Sequence, residues 1–491
     1  MSRSKKALAF AFSFGLVAAA CGSDDDGADE APTTEAEAPA DEPADEPADE
    51  PADEPADEPA DEPADEPADE PADEPADEPA GEATGEPIKI GVQNLEGDPN
   101  GSFPEFSIAI EAAAGYVNTE LGGLGGRPIE LVVCKSVVAP DDSQRCANEL
   151  SADGVEMAIS TINFFGNHFS IYQGSNIPVI AVTPITIADF TTPGVFAVGP
   201  GGGCLGVHTG LIEFATNQIE ELEGIEVSRV GVPWADTPPG VVCYNDLEAK
   251  PLDVIRGVEP GDAARAGERP DLEYIGVPVA PAIPDATPQA TEVLDFDPDV
   301  IVFSGQGADC WNLVDALGRL GWTPEETPLV LSGSCTDFDA MRAAGDLAVG
   351  IYLTGTENGL LAPLDTLEGQ HLDNATVYQT KGLEYGMTED DLFKGFAGQG
   401  FSAIMELWSA ANDVEGDVTG ESIAAALAAT DGSRPSFGNA PLDCQAAPAP
   451  YVAVCSSSIS ITQWNGEFAE EIIPRLSGLD LVAGTELRPG G

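Results

Sequence analysis

From Pro87 onward the chain alternates short, continuous apolar runs with helical ones, and this alternation most constrains its fold. Ile88-Lys89-Ile90-Gly91-Val92 reads as a buried strand. Phe106 to Leu121 follows with Ile108, Ile110, Ala112, Ala113, Tyr116 and Val117 at helical spacing, and the glycine-rich turn Gly122–Pro128 stops it. Ile129–Val133, Met157–Ile159 and Pro178–Val182 continue the strands, with helices between them. Strands that are apolar throughout need cover on both faces, which a parallel sheet flanked by helices supplies. After Val195–Gly203 the pattern restarts with a helix from about Leu205 to Leu222. Strands are then expected at Ser228–Pro233, Leu272–Val279, Val300–Ser304, Leu329–Leu331 and Gly350–Leu353, with a clear helix at Asp309–Leu320. Helices fill Thr366–Ala429, and a hairpin closes the chain around Asn465-Gly466. About 400 residues exceed one ordinary core, so two α/β lobes are expected.

The residues before Pro87 cannot join that fold. Ten Asp-Glu pairs run from Asp41 to Glu78, separated by Pro-Ala, and Asp24–Pro87 carries 29 acidic residues and no basic one. Such a tract cannot bury enough apolar surface to offset its ordering entropy. Regular proline and self-repelling charge keep it extended, with a reach of at most about 200 Å. Ahead of it, Arg3, Lys5 and Lys6 precede the apolar stretch Ala7–Val17 and the small residues before Cys21, the pattern of a secretory signal. Cys21 resembles the acylated first residue of bacterial lipoproteins, with Ala18 at the place where leucine is usual. The expectation is residues 1–20 as signal peptide, a lipid anchor at Cys21 on the outer face of the membrane, and 21–86 as disordered linker.

The formal charge is −68, and −42 of it falls on residues 88–491. No basic patch exists to neutralise phosphates, which argues against nucleic acid as a partner. Eight cysteines follow Cys21. An even number in an exported chain reads as a disulfide set, and roughly a hundred pairings are open in principle. Element order suggests Cys134 with Cys146, Cys310 with Cys335 and Cys444 with Cys455, leaving Cys204 and Cys243. With no C-x-x-C and only His168, His208 and His371, neither a metal nor a cofactor is expected. The sequence also lacks a G-x-S-x-G elbow, an H-E-x-x-H pair and a P-loop, so no enzyme is expected.

Pro87–Gly91, Val117-Asn118 with the Gly-rich turn and Arg127–Val133, Ile177–Ile180 and Leu313–Gly321, taken in order, resemble the branched-chain amino acid type of ABC-transporter solute-binding proteins. The resemblance implies a type I periplasmic-binding-protein fold: two Rossmann-like lobes with parallel sheets, a three-strand hinge and a ligand cleft. The lobes would be 87–200 with 356–437, and 201–355 with 438–491. The crossings would fall near Pro200–Gly203, Gly355–Glu357 and Phe437–Pro441.

Ligands of open α/β sheets lie beyond the carboxyl ends of the strands. The resemblance therefore implicates Phe103, Asn163, Phe164, Thr183 and Thr186 in the first lobe, and Trp234, Gln306, Ser334 and Asp337 in the second. Thr183 and Thr186 match residues that hold a ligand carboxylate in relatives. Phe164 and Phe165 stand where relatives carry serines; they would cover an apolar ligand or fill core. Ser334 stands where amino acid binders place an acid for the ammonium, with Asp337 a turn later, so an amide or hydrophobic carboxylate is as well suited as an amino acid. The implied role is capture of a small molecule by a monomer and delivery to a membrane permease; the alternative is a ligand-sensing receptor domain without transport.

Overall fold

The computed structural model describes residues 81–98, 101–199, 203–261, 264–355, 358–394, 396–438, 440–446 and 450–485. The chain divides into two units, 1–74 and 75–491. The signal peptide, Cys21, linker residues 21–80 and parts of the three expected crossings (200–202, 356–357 and 439) lie outside the described residues.

The first sheet contains β1 (Ile88–Leu95), β2 (Ile129–Ser136), β3 (Met157–Ser160), β4 (Val179–Ala181) and β5 (Val195–Ala197), in the order β2-β1-β3-β4-β5 and parallel throughout. Ile88, Ile90 and Val92 are fully buried, as are Met157 and Ile159, and helices cover the sheet. Between these strands run α1 (Pro104–Glu120), α2 (Pro140–Ala152), α3 (Phe169–Gly174) and α4 (Ile187–Thr191).

The second sheet begins after α5 (Cys204–Glu213), a π-helical turn at Phe214–Gln218 and α6 (Ile219–Glu223). Its strands are β6 (Arg229–Ala235), β7 (Glu273–Val279), β8 (Val300–Phe303), β9 (Leu329–Leu331) and β10 (Tyr352–Gly355), separated by α7 (Pro238–Tyr244), α8 (Lys250–Ile255), α9 (Thr287–Asp295), α10 (Ala308–Arg319) and α11 (Phe338–Ala344). The parallel part, β7-β6-β8-β9-β10, repeats the order of the first sheet. In each, the first strand lies between the second and third, so successive connections pass to opposite sides there and leave a crevice at the strand ends. β11 (Ile459–Trp464) and β12 (Ala469–Leu476) add an antiparallel hairpin on the β10 edge, joined through Asn465-Gly466.

Between β10 and β11 the chain returns to the first core through α12 (Asn358–Leu361), α13 (Gly369–Glu384), α14 (Glu389–Leu392), α15 (Ala397–Asn412) and α16 (Gly420–Ala428). Helix α15 packs along α1, and Gly400 makes the approach possible: a Cβ there would lie 3.0 Å from the Phe106 carbonyl oxygen. Phe401, Ile404 and Leu407 fill the space so formed.

The third crossing differs from expectation. Phe437, Leu442 and Cys455 belong to the same buried cluster as Ile88 and Ile90. The Ala197 N–H donates to the Ala453 carbonyl at 2.7 Å, and the Cys455 N–H donates to the Ala197 carbonyl at 3.0 Å. Residues 453–455 thus lie along β5, and the chain enters the second sheet only at Ile459, not at 438. The reason is backbone pairing: β5 is the edge strand of its sheet, and the return segment supplies partners for its free groups. The disulfides join Cys134 to Cys146, Cys204 to Cys243, Cys310 to Cys335 and Cys444 to Cys455.

Candidate functional site

The carboxyl ends of β3, β4, β6, β8 and β9 surround an inner cavity of about 850 Å³, counting the part open to solvent. Its walls come from both sheets. Ile162, Phe164, Thr183 and Ile185 line one side; Ala235, Thr237, Ser304, Gln306, Ser332, Ser334 and Thr354 line the other. Helices add His208 from α5, Gln399 from α15 and Phe396 just before it. A wider outer cleft carries Phe103, Phe164, Gln306, Ser334 and Asp337 in its walls.

A buried polar lattice fixes the first wall. Asn94 Nδ2 donates to the Phe103 carbonyl at 2.8 Å, and Thr161 Oγ1 donates to Asn94 Oδ1 at 2.6 Å. Asn163 Nδ2 donates to Ser143 Oγ at 2.7 Å, while its Oδ1 accepts from the Phe165 N–H at 3.0 Å. Asn163 therefore shapes the loop after β3 and does not line the cavity. The turn it makes aims Phe164 into the space. Phe103 meets Phe396 edge-on at 5.4 Å, and Phe396 stacks on Phe106 at 5.2 Å, so the aromatic wall is braced from α1.

In the loop after β4, Thr183 and Thr186 part company. Thr183 Oγ1 donates to Gln399 Oε1 at 2.6 Å, and both residues face the cavity. Thr186 caps α4: it accepts from the Asp189 N–H, and its own N–H and hydroxyl donate to Asp189 Oδ2 at 2.6 Å each. The Ile185 N–H donates to the same oxygen at 3.1 Å. Burial pushes the Asp189 carboxyl up to about 6 despite these bonds. The carboxyl thus pins the loop that presents Thr183 and Ile185.

In the second wall, the Ser332 and Ser334 hydroxyls lie 2.8 and 2.7 Å from the Gly305 carbonyl oxygen, drawing the loops after β8 and β9 together. Thr354 Oγ1 accepts from the Gly333 N–H at 3.2 Å. Trp234 points away from the cavity and stacks on Tyr244 at 4.9 Å; its neighbour Ala235 faces inward, as strand alternation requires. Asp337 caps α11, accepting from the Ala340 N–H at 2.9 Å, and reaches only the outer cleft.

Of the nine residues expected from sequence, Phe164, Thr183, Gln306 and Ser334 meet around the inner cavity. Phe103 and Asp337 face the outer cleft, and Asn163, Thr186 and Trp234 serve the framework. His208, Thr354, Phe396 and Gln399 were missed. A helix start just past a crossing, with His208 one turn beyond Cys204, was the available signal for the first. Nothing short of the α15 packing points to the last two.

Charge is distributed unevenly. Among the described residues lining the inner cavity there is no Asp, Glu, Lys or Arg. The outer cleft carries eight carboxylates, including Asp98, Asp236, Asp309 and Asp337, against Arg342 and Lys394. Cys204, Cys243 and His208 bring their sulfur and nitrogen atoms within 4.8 Å of one another. The two sulfurs are bonded to each other, which removes the thiolates a metal would need.

The periplasmic binding protein family profile matches residues 87–218 and 253–442. No curated protein matches the chain. Among solved structures, an ABC transporter substrate-binding protein from Sphaerobacter thermophilus is similar with a TM-score of 0.59 at 17% identity, over 80% of this chain and 99% of that one. The branched-chain amino acid substrate-binding protein LivJ from Streptococcus pneumoniae, in complex with isoleucine, gives 0.56 at 14%, over 79% and 100%. An R. palustris solute-binding protein in complex with 4-hydroxybenzoate gives 0.56 at 15%, over 79% and 96%. With two sheets of the same strand order meeting at a cavity between their carboxyl ends, this chain belongs to the periplasmic binding protein family and has the type I fold of the branched-chain amino acid substrate-binding proteins.

Proposed function

We propose that the protein is an extracytoplasmic solute-binding lipoprotein that captures one small molecule in the inner cavity and delivers it to an ABC-transporter permease. The observation that carries this reading is the cavity itself: enclosed by strand ends of both sheets, mostly apolar, with a few hydroxyl and amide groups converging on it. That is the composition of a site that holds a ligand and orients it. An amino acid, an amide or a hydrophobic carboxylate would suit these walls. Ligand contacts with both lobes would favour a closed form over an open one, by their difference in affinity for the two. Phe338 of α11 and Phe393, just after α14, already meet across the lobes at 5.8 Å, and such a contact would persist or tighten on closure. Acylation at Cys21 would retain the monomer beside its permease, with the acidic repeat as tether.

The test is a thermal-shift screen of the mature protein against amino acids, amides and aliphatic and aromatic acids, followed by uptake of the best binder into cells. The expected result is one class of ligand that raises Tm by several degrees at saturating concentration, and uptake that is lost in Cys21→Ser cells. A stable protein that responds to no member of the screen would contradict the reading.

A further inference from the structure

We infer that His208 and Glu248 form a buried anchor at the inner end of the cavity, selecting ligands that carry a carboxylate and rejecting those that offer only an ammonium there; this rests on the solute-binding reading above. Glu248 lies in a π-helical turn, Asn245–Ala249, that joins α7 to α8, and its side chain is 0% exposed. Among the described residues neither of its oxygens has a well-aligned hydrogen-bond donor, and its close polar neighbour is His208 Nδ1 at 2.9 Å. The nearby ammonium of Lys250 is 2.7 Å from Asp246 and is matched there. A buried carboxylate left with no counter-charge is costly, which favours a Glu248–His208 pair that is neutral as a whole.

Neutrality fixes what the cavity meets. Either Glu248 is ionised beside an imidazolium, or it is protonated and donates to Nδ1. Both arrangements leave a proton on Nε2. Nδ1 is buried against Glu248 while the ring lines the cavity, so the edge turned to the ligand is a donor and cannot accept. His208 is the one titratable side chain among the described lining residues that is not a disulfide cysteine. A carboxylate gains a charge-assisted bond at this point, an amide carbonyl a weaker one, and an ammonium meets no acceptor. The Cys204–Cys243 disulfide explains why the pair keeps its geometry. His208 stands one helical turn after Cys204, and Glu248 lies in the π-helical turn that continues α7 past Cys243, so the covalent bond ties α5 to the helix that leads into Glu248.

The experiment measures, by calorimetry, the affinities of matched acid, amide and amine probes: 4-methylpentanoate with 4-methylpentanamide and 4-methylpentylamine, and benzoate with benzamide and benzylamine. The wild-type protein should bind an acid at least about tenfold more tightly than its amide and show no amine binding. His208→Leu removes the Nε2 donor, and should reduce the acid-to-amide ratio by about tenfold. A residue that only supported the fold would lower both affinities together. Should His208→Leu fold poorly, the double variant His208→Leu with Glu248→Leu removes both partners and leaves no buried charge; it should bind acid and amide about equally. Acid-to-amide ratios that stay at the wild-type value in variants melting like wild type, or tight binding of an amine, would overturn the inference and leave solute binding standing. Binding of no probe and of no compound in the wider screen would overturn both.

Discussion

At the scale of single residues, two buried groups outside the cavity set opposing pH dependences. His168 is 0% exposed, and burial holds its imidazole at about 3, against an ordinary 6.5. The unfolded chain takes up this proton near 6.5 and the folded chain does not, so His168 removes stability as pH falls from 6.5 toward 3. The loss amounts to about 2 kcal/mol by pH 5. Asp189 acts in the other direction. Its folded value of about 6 lies above the ordinary 3.8, so the folded state binds the extra proton between those limits and gains stability as pH falls through them. The two partly cancel in the wild type. Chemical denaturation between pH 4 and 7 should therefore show a steeper loss on acidification in Asp189→Asn, and a flat or reversed slope in His168→Leu. Slopes equal to wild type in both variants would remove the burial argument for these residues.

The same scale explains which site residues were legible. Loop membership could be read from the sequence, because it needs only the strand ends. Side-chain direction could not. Thr183 and Thr186 are three residues apart in one loop, yet one bonds Gln399 in the cavity wall and the other caps a helix. Trp234 and Ala235 are adjacent and face opposite ways because one step along a strand reverses the side chain. Asn163 looked like a polar contact for ligand, but its carboxamide is consumed by Ser143 and the Phe165 amide.

At the scale of elements, the strands were the most legible part, since those buried on both faces are written as unbroken apolar runs. The return path from β10 to β11 was the least legible. Residues 453–455 carry no strand pattern of their own; β5 recruits them by offering an unpaired edge. Helix α15 is a second case. Its apolar periodicity foretells a helix but not its seat against α1, which depends on one missing Cβ. Gly400→Val should force the two helices apart and destabilise the protein by about 1–3 kcal/mol, read as a lower denaturation midpoint at an unchanged m-value. Because α15 presents Gln399 and adjoins Phe396, ligand affinity should fall as well. A Gly400→Val protein with wild-type stability and affinity would show that this contact does not position the wall.

At the scale of the whole molecule, charge and burial pull apart the approach of a ligand and its capture. The outer cleft is acidic, while the chamber behind it has no carboxylate among its described lining residues. Exposed charges are screened over about 8 Å at physiological salt, and buried contacts much less. Stopped-flow association of an anionic ligand should thus quicken as salt rises from 20 to 300 mM, with little change in its dissociation rate. An association rate that falls with salt would mean that attraction, not repulsion, governs entry. No helix among the described residues is long and apolar enough to cross a membrane.

The cavity between the two sheets is the proposed place where ligand is held. Ala235 lines it at the end of β6, so Ala235→Trp would fill space there without removing a side chain that bonds the framework of either wall. Titration calorimetry with the best ligand from the screen gives the decisive number. The expected result is one site per chain in the wild type, and loss of binding by at least about a hundredfold in an Ala235→Trp protein that still melts cooperatively. Unchanged affinity in that folded variant would place the ligand elsewhere.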